Sequence, residues 1–306
     1  MYIGAKMDNK NSGFRSGFTS LLGKPNAGKS TLVNAMSGAK VAITSPRPQT
    51  TRHRIMGVKN GANCQIVFID TPGVKEVKNE LDSFMEKIYK DESKSADVIL
   101  FVVDGSVPCS DEDKKAYTIL KKAKNKQAPA FLIINKSDCI KEEKFSEEYK
   151  KLGCFDKVFT VSAVTGEGID VLISDITTQL PEGPTYFPID METDQSPLLF
   201  ASEIVRENIL SLVSDEIPHG VFVHAEEMRK GAKPGSLYFK IMIYVERNSH
   251  KGIIIGKEGK MLKKIGMRSR KEISTHMNQD VYLDLWVKVK EKWKDRKDLL
   301  RSWGYD

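Results

Sequence analysis

The sequence predicts a doubly wound α/β domain with a mostly parallel sheet, followed by a smaller α+β domain. Three observations carry this. Five short apolar, β-rich runs, at 18–23, 64–70, 98–104, 130–136 and 157–163, alternate with longer mixed segments. The runs are often apolar on consecutive positions, as in strands covered on both faces of a parallel sheet. Near Leu180 this pattern stops, and beyond it two segments alternate apolar and polar residues strictly, as in strands with one solvated face.

The elements read in order as follows. The strand 18–23 leads into a helix over Lys29–Ser37. The strands 64–70 and 98–104 frame a helix over Glu80–Ser93, and Asp111–Asn125 gives the next helix before the strand 130–136. The strand 157–163 and a helix over Ile169–Gln179 close the first domain, spanning 15–180 after a disordered lead-in over 1–14. Residues 181–197 hold four prolines and little periodicity, and are read as a linker. The second domain, 198–306, opens with an amphipathic helix over Leu198–Val213. Two one-sided strands follow, with Leu237, Phe239, Ile241, Ile243 and Val245 on one face of 237–245, and Val281, Leu283, Leu285, Val287 and Val289 on one face of 281–289. Between them a β-rich run, Ile253–Ile255, precedes a helix marked by Leu262, Ile265, Ile273 and Met277. A final basic helix is expected over Lys288–Tyr305.

Composition narrows the function. The chain has 306 residues, of which 40% are hydrophobic, enough for real cores. The longest apolar run, Val98–Val103, falls far short of the ~20 residues that span a bilayer. Nothing resembles a signal-peptide core. Cys64, Cys109, Cys139 and Cys154 form no CxxC pair, which argues against a zinc site or a disulfide framework and fits a reducing cytoplasm. The net charge of +7 is local: residues 1–250 carry 33 basic and 33 acidic side chains, residues 251–306 carry 15 and 8. The end of the chain is therefore the place for a polyanion.

The first strand runs into Gly23-Lys24-Pro25-Asn26-Ala27-Gly28-Lys29-Ser30, followed by Thr31. G-x-x-x-x-G-K-S between strand and helix is a phosphate cradle. Its glycines let backbone N–H groups curl around phosphates, Lys29 supplies a point charge, and the Ser30 hydroxyl binds Mg²⁺. Asp70-Thr71-Pro72-Gly73 ends the strand 64–70, where Asp70 can serve Mg²⁺ through water and the Gly73 amide can feel a γ-phosphate. Asn135-Lys136-Ser137-Asp138 follows another strand. The Asp138 carboxylate can take two hydrogen bonds from guanine N1–H and N2–H₂, a donor pair that adenine lacks. All three motifs sit at strand C-terminal ends, where doubly wound sheets bind ligands.

These residues resemble the G-motifs of the translation-factor-like GTPases, which implies a Mg²⁺-dependent GTPase. The resemblance adds Ser162-Ala163, similar to the motif whose backbone reads guanine O6. It also adds residues 44–52 as the first switch, where a Thr completes the Mg²⁺ shell only with γ-phosphate present. Thr51 is favoured for that role by the following Arg52, with Thr50 as the alternative. The metal set is then Ser30, Thr51 and Asp70. Where Ras-like enzymes place a Gln that orients water, this chain has Val74, so slow intrinsic hydrolysis is expected. Asn26 resembles the Asn that in some such GTPases helps hold K⁺ beside the phosphates, in the place of an arginine finger. The catalytic set is read as Lys29, Thr51, Asp70, Gly73 and Asn26.

In the second domain Gly256-Lys257-Glu258-Gly259 is a G-x-x-G loop, set among Lys251, Gly252, Ile255, Lys260, Lys263, Lys264, Arg268, Arg270 and Lys271. Two glycines let a nucleic-acid backbone approach, and the following helix N-terminus and Lys257 can face phosphate. The combination resembles a KH domain of type II order, a module that clamps about four nucleotides of a single strand. A P-loop GTPase joined to a type II KH domain, over roughly residues 15–303, is similar to the Era family of bacterial ribosome-assembly GTPases. The phosphate loop departs from that family's usual Arg and Val at Lys24 and Ala27. The resemblance implies that the chain binds the 3′ end of 16S ribosomal RNA and assists maturation of the 30S subunit. It also implies a cytoplasmic location with loose contact to the inner membrane face. The expected partners are GTP and GDP, single-stranded RNA and the 30S subunit, with no DNA, and the chain is read as a monomer. Nucleotide state is expected to reorder residues 44–56 and 71–80 and, through the 181–197 joint, to gate RNA access to the G-x-x-G loop.

Overall fold

The first apolar run folds as β1 (Arg15–Leu22) and passes directly into α1 (Lys29–Ser37). A hairpin, β2 (Ile55–Asn60) and β3 (Cys64–Asp70), follows. Then come α2 (Glu80–Ser95), β4 (Val98–Asp104), α3 (Asp111–Ala123) and β5 (Ala130–Asn135). The series closes with α4 (Glu143–Lys150), β6 (Lys157–Thr160) and α5 (Ile169–Gln179). The computed structural model describes residues 13–45, 47, 50–124, 127–153, 155–213 and 220–305. The lead-in expected over 1–14 lies, as far as residue 12, outside the described residues, as does Cys154.

The sheet order is β2-β3-β1-β4-β5-β6, parallel except for β2, which pairs antiparallel with β3. The consecutive apolar residues of the central strands serve two cores. Leu21, Ile66, Phe68, Leu100, Val102 and Ile133 meet Leu32 and Met36 of α1 and Leu172 and Ile176 of α5. Their neighbours Leu22, Ile99, Phe101, Val103 and Ile134 meet Tyr89 of α2, Leu120 of α3 and Tyr149 of α4. That is the physical reason β4 and β5 read as unbroken apolar runs: every one of their residues is buried. The chain moves to one side of β1 to make β3 and to the other to make β4. The loop after β1 therefore sits at a topological switch point, where such sheets open a ligand crevice.

Two elements here had no clear signal in the sequence. β2 mixes Gly57 and Lys59 into a short run, and α4 (EKFSEEYK) has few apolar positions to reveal a period. Residues 181–194 pack on this unit. Gln65 accepts from the Tyr186 and Phe187 N–H groups at 2.7 and 3.0 Å, and the Val58 N–H donates to Glu192 O at 2.8 Å. The segment thereby satisfies backbone groups along the outer edge of β2.

The remaining elements are α6 (Pro197–Leu212), β7 (Phe222–Lys230), β8 (Leu237–Val245), α7 (Asn248–Ile255), α8 (Lys260–Met277), β9 (Val281–Val289) and α9 (Lys297–Ser302). Ser196 caps α6 through the Leu199 N–H, with Pro197 preset for the first turn. β7 runs antiparallel to β8 and β9 parallel to it, in register from Leu237↔Val281 to Val245↔Val289. Phe239, Ile241, Ile243, Val245, Val281 and Val287 form one face of this sheet and pack with Ile204, Val205 and Ile209 of α6 and Ile265 and Ile273 of α8. The described residues divide into two compact units: those up to 42, with those in 51–77 and 85–194, form the first, and those in 43–50, 78–84 and 195–305 form the second.

Two expectations are corrected. Ile253–Ile255 is not a strand but the end of α7: Ile254 alone is fully buried, while Ile253 is 47% exposed, so packing of one residue per turn overrides β propensity. The segment Lys288–Tyr305 is not one helix. β9 continues through Val289, Lys292 adopts a left-handed φ of 49°, a 3-10 turn spans Trp293–Asp295, and only Lys297–Ser302 is α-helical. Tryptophans set this path. The buried Trp293 indole N–H donates to Gly220 O at 3.0 Å, and Trp303 stacks on Phe222 with ring centroids 4.1 Å apart.

Candidate functional site

The loop from Gly23 to Gly28 turns on left-handed backbone at Asn26 (φ 62°) and Gly28 (φ 91°). A Cβ at Gly28 would strike the Asn135 side chain, so glycine is required by space as well as by angle. Gly73 approaches just as closely: a Cβ there would collide with the Pro25 backbone. The Val74 N–H donates to Gly23 O at 3.3 Å, and Thr71 Oγ1 donates to Leu21 O at 2.6 Å. The Asp70–Val74 segment, Pro72 included, is thus carried against the phosphate loop. The Val74 side chain is buried in the core with Leu22 and Tyr89, so it reaches no substrate water.

Lys29 is buried at the start of α1, and its ammonium donates to the Lys24 carbonyl at 2.9 Å. Burial lowers its pKa to about 8, against the opposing charge of Asp70. Charge neutralisation by phosphate oxygens would favour the protonated form. The Lys24 side chain leads elsewhere: its ammonium lies 2.7 Å from Asp113, the buried carboxylate of the α3 capping box. Lys24 and Ala27 therefore offer the site backbone only; the Ala27 carbonyl accepts from Asn135 Nδ2 at 3.0 Å.

Ser30 Oγ, Thr51 Oγ1 and Asp70 Oδ2 converge. Ser30 donates to Asp70 at 2.6 Å, Thr51 to Asp70 at 2.9 Å, and the two hydroxyls are 2.8 Å apart. The other Asp70 oxygen, Oδ1, is buried and has no hydrogen-bond partner. Desolvation raises the Asp70 pKa in spite of Lys29 and both hydroxyls. A hard divalent cation fits this set: it takes oxygen ligands, and it reverses the cost of a buried carboxylate. Thr50 is turned away from it, with Oγ1 donating to Arg47 O at 2.8 Å. Of the two threonines, Thr51 is the one that reaches. Thr31 lies one residue beyond, in the first turn of α1.

On the base side, Asp138 is exposed, and its Oδ1 accepts from Ser162 Oγ at 2.5 Å. That bond, with a second from Cys139 Sγ, holds the carboxyl below its usual range and leaves it ionised. Asn135 is a bracket rather than an open base contact: besides the Ala27 carbonyl it engages the Ala163 N–H at 3.1 Å. The Ala163 N–H is therefore already donated. Lys136 sits in left-handed backbone and pairs with Asp104, and Ser137 Oγ donates to Glu167 at 2.9 Å. Asp104 and Glu167 thus hold the side chains of Lys136 and Ser137, and the sequence gives no signal that singles them out.

The second unit brings its basic residues together differently. Gly256 (φ 74°) ends α7, and a Cβ there would strike Met261. Glu258 (φ 54°) and Gly259 (φ 73°) continue the left-handed turn, and α8 begins at Lys260. Lys257, Lys260, Lys263, Lys264, Arg268, Arg270 and Lys271 are exposed on the loop and on α8. Lys260 pairs at 2.8 Å with the exposed Glu258. Lys251 and Gly252 lie on α7, and Ile255 packs partly against the core.

A phosphate loop at a switch point, a magnesium-type oxygen set and a guanine-type carboxylate define a P-loop GTPase domain. The helix–strand–strand–helix–helix–strand unit with its G-x-x-G loop defines a KH domain. Comparison with known proteins agrees. Residues 18–136 match the family model of the 50S ribosome-binding GTPases, and residues 216–294 match a KH domain. The chain is 42% identical to GTPase Era of Alkaliphilus metalliredigens over 296 residues, covering 96% of this chain and 99% of the relative. Identity is also 42% with GTPase Era of Clostridioides difficile, over 96% and 99% of the two chains. A crystal structure of an Aquifex aeolicus Era variant bound to GDP and AlF₄⁻ superposes with a TM-score of 0.90 at 40% identity, covering 95% of this chain and 99% of that one. An Era complex with MgGDPNP and nucleotides 1506–1542 of 16S ribosomal RNA matches with the same score, identity and coverage. The chain belongs to the Era family of GTPases. Among the described residues no helix is long and apolar enough to cross a membrane.

Proposed function

We propose that this chain is a slow, Mg²⁺-dependent GTP-hydrolysing switch that binds the single-stranded 3′ end of 16S ribosomal RNA and assists maturation of the 30S subunit. The observation that carries the nucleotide half is the convergence of Ser30, Thr51 and Asp70 beside Lys29 and the close approach of Gly73 to the phosphate loop. Ser30 and Thr51 would hold the metal directly and Asp70 through water; the metal, when bound, offsets the phosphate charge. Backbone N–H groups of 23–30 orient the phosphates for in-line attack, and Lys29 stabilises negative charge on the transferred group. The Gly73 amide and Thr51 together distinguish GTP from GDP. Burial of Val74 leaves the attacking water without a side-chain partner at that position, hence the slow rate. The MgGDPNP–RNA complex of the Era relative supports the RNA half.

A labelled RNA corresponding to nucleotides 1506–1542 should bind at least several-fold more tightly to protein loaded with a GTP analogue than with GDP. Coupling requires that difference in affinity. Equal affinities in a fluorescence titration would leave two independent modules. Asn26, whose backbone is left-handed in the phosphate loop, is read as helping to hold a K⁺ ion that supplies charge there; its likeness to the K⁺-holding Asn of some such GTPases supports this reading. Hydrolysis should accordingly run faster in KCl than in matched NaCl, and Asn26→Ala should erase the difference; equal rates in the two salts for the native chain would refute the K⁺ role. The basic residues of 251–306 also suit loose attraction to an anionic membrane face, which co-sedimentation with phosphatidylglycerol vesicles would register. The reading is of a cytoplasmic monomer that does not use DNA.

A further inference from the structure

Within the first unit, helix α3 grips the phosphate loop through a charged side chain. Lys24 Nζ lies 2.7 Å from Asp113 Oδ2 and 3.1 Å from Ser110 Oγ; the lysine side chain is 12% exposed and the carboxylate fully buried. The same Asp113 oxygen accepts from the Ser110 N–H at 2.9 Å and from the Ser110 hydroxyl at 2.6 Å, in the α3 capping box. Asp113 Oδ1 is buried with no hydrogen-bond partner. A capping box works at an exposed helix end and asks for no cation from elsewhere in the chain. A fully buried carboxylate does ask for one, and Lys24 supplies it.

The Lys24 backbone is engaged as well. Its carbonyl accepts from the Lys29 ammonium at 2.9 Å, and Gly23 O lies 3.4 Å from the same ammonium. A Cβ on Gly73 would collide with Pro25 N and Cα and with the Lys24 carbonyl carbon, so Gly73 rests on the Lys24–Pro25 peptide. That peptide is planar, and the proline biases Lys24 toward extended backbone. A side chain pinned at Asp113 and a backbone so restricted together set the carbonyl that meets Lys29 and the plane on which Gly73 packs. Helix α3 also reaches the segment beyond Gly73, where Lys115 Nζ donates to Lys75 O at 3.2 Å. We propose that Asp113 is a positioning residue for GTP hydrolysis: through Lys24 it sets the backbone that aims the Lys29 ammonium and seats the Gly73 amide. This rests on the GTPase reading above and adds a residue that lies outside the three nucleotide motifs.

The test uses full-length protein in four forms: native, Asp113→Asn, Lys24→Arg and the double variant Lys24→Met with Asp113→Asn. The double variant removes both charges together, so no buried carboxylate is left without its cation. Asp113→Asn alone keeps an acceptor for the helix cap and weakens only the grip on the ammonium, so it reads the same link should the double variant not fold. Loss of the charge-assisted bond should lower kcat for GTP by about tenfold in the double variant and by about threefold in Asp113→Asn. Affinity for fluorescent GDPNP should fall by about tenfold in the double variant, and affinity for fluorescent GDP by less than about threefold, since Gly73 answers to the γ-phosphate. Lys24→Arg keeps a cation for Asp113 and should recover most of the rate that the double variant loses. Native kcat in either folded Asp113 variant would overturn the proposal. Equal losses of GDP and GDPNP affinity would overturn it too, by making the pair merely structural, as would a Lys24→Arg form no faster than the double variant. Failure of the native protein to bind or hydrolyse GTP would instead strike the underlying GTPase reading.

Discussion

Asp138→Asn is expected to lower GTP and GDP affinity on the order of 10³-fold and to raise XTP affinity. Asp138 stands exposed at the end of the β5 loop, its Oδ1 held by the Ser162 hydroxyl at 2.5 Å. Hydrogen bonding to Ser162 and Cys139 depresses its pKa, so at neutral pH it is an ionised acceptor with no proton of its own. Guanine presents two donors side by side, and a carboxylate answers both. An amide answers one and sets its own NH₂ against the other, while xanthine has a carbonyl at that second position and accepts from the amide. The substitution changes one atom at an exposed site, so the fold is kept. Competition of GTP and XTP against fluorescent GDP reads the outcome. A variant that holds GDP to within about tenfold of the native affinity, with no gain for XTP, would remove Asp138 from base recognition.

What could be read from the sequence and what could not follow one physical line. Local backbone chemistry is legible. The glycine-rich phosphate loop, the apolar runs of β4 and β5 and the G-x-x-G turn each express a constraint that a few neighbouring residues carry. Tertiary choices are not. Ile253–Ile255 has strand composition but is claimed by α7 because one isoleucine per turn faces the core. The last eighteen residues have a helix-like charge pattern, yet Trp293 and Trp303 fold them back on Phe222, a contact far away in the chain. The same holds within the site. The following Arg52 favours Thr51 in the sequence and leaves Thr50 as the alternative; in the fold Thr51 Oγ1 lies with Ser30 and Asp70, while Thr50 donates its hydroxyl to the Arg47 carbonyl. Asn135 lies in the guanine motif by sequence, but its two bonds brace the phosphate loop against the Ala163 loop, a role that only the folded sheet reveals.

On the RNA side, the pair Lys257→Glu with Lys260→Glu should weaken binding of the 1506–1542 RNA by about 100-fold near 0.1 M salt. Glycine substitution would be the weaker test. Gly256 has a φ of 74° and a Cβ there meets Met261, so an alanine would disturb the loop itself and confuse fold with contact. The two lysines carry no such burden. Both are exposed, and the native partner of Lys260 is only the equally exposed Glu258. Reversing them removes two cations from the turn that opens α8 and places two carboxylates where phosphates would approach. Each phosphate contact contributes its share of released counterions. The slope of log affinity against log salt should therefore fall in magnitude by about 1.4. Intrinsic GTP hydrolysis without RNA should be unchanged, because both lysines belong to the second unit and the phosphate loop to the first. If affinity falls but the salt slope stays native, the lysines act through the shape of the turn rather than through charge. If neither moves, the RNA lies elsewhere on the basic surface, and α8 with Lys263, Lys264, Arg268 and Arg270 is the next face to reverse.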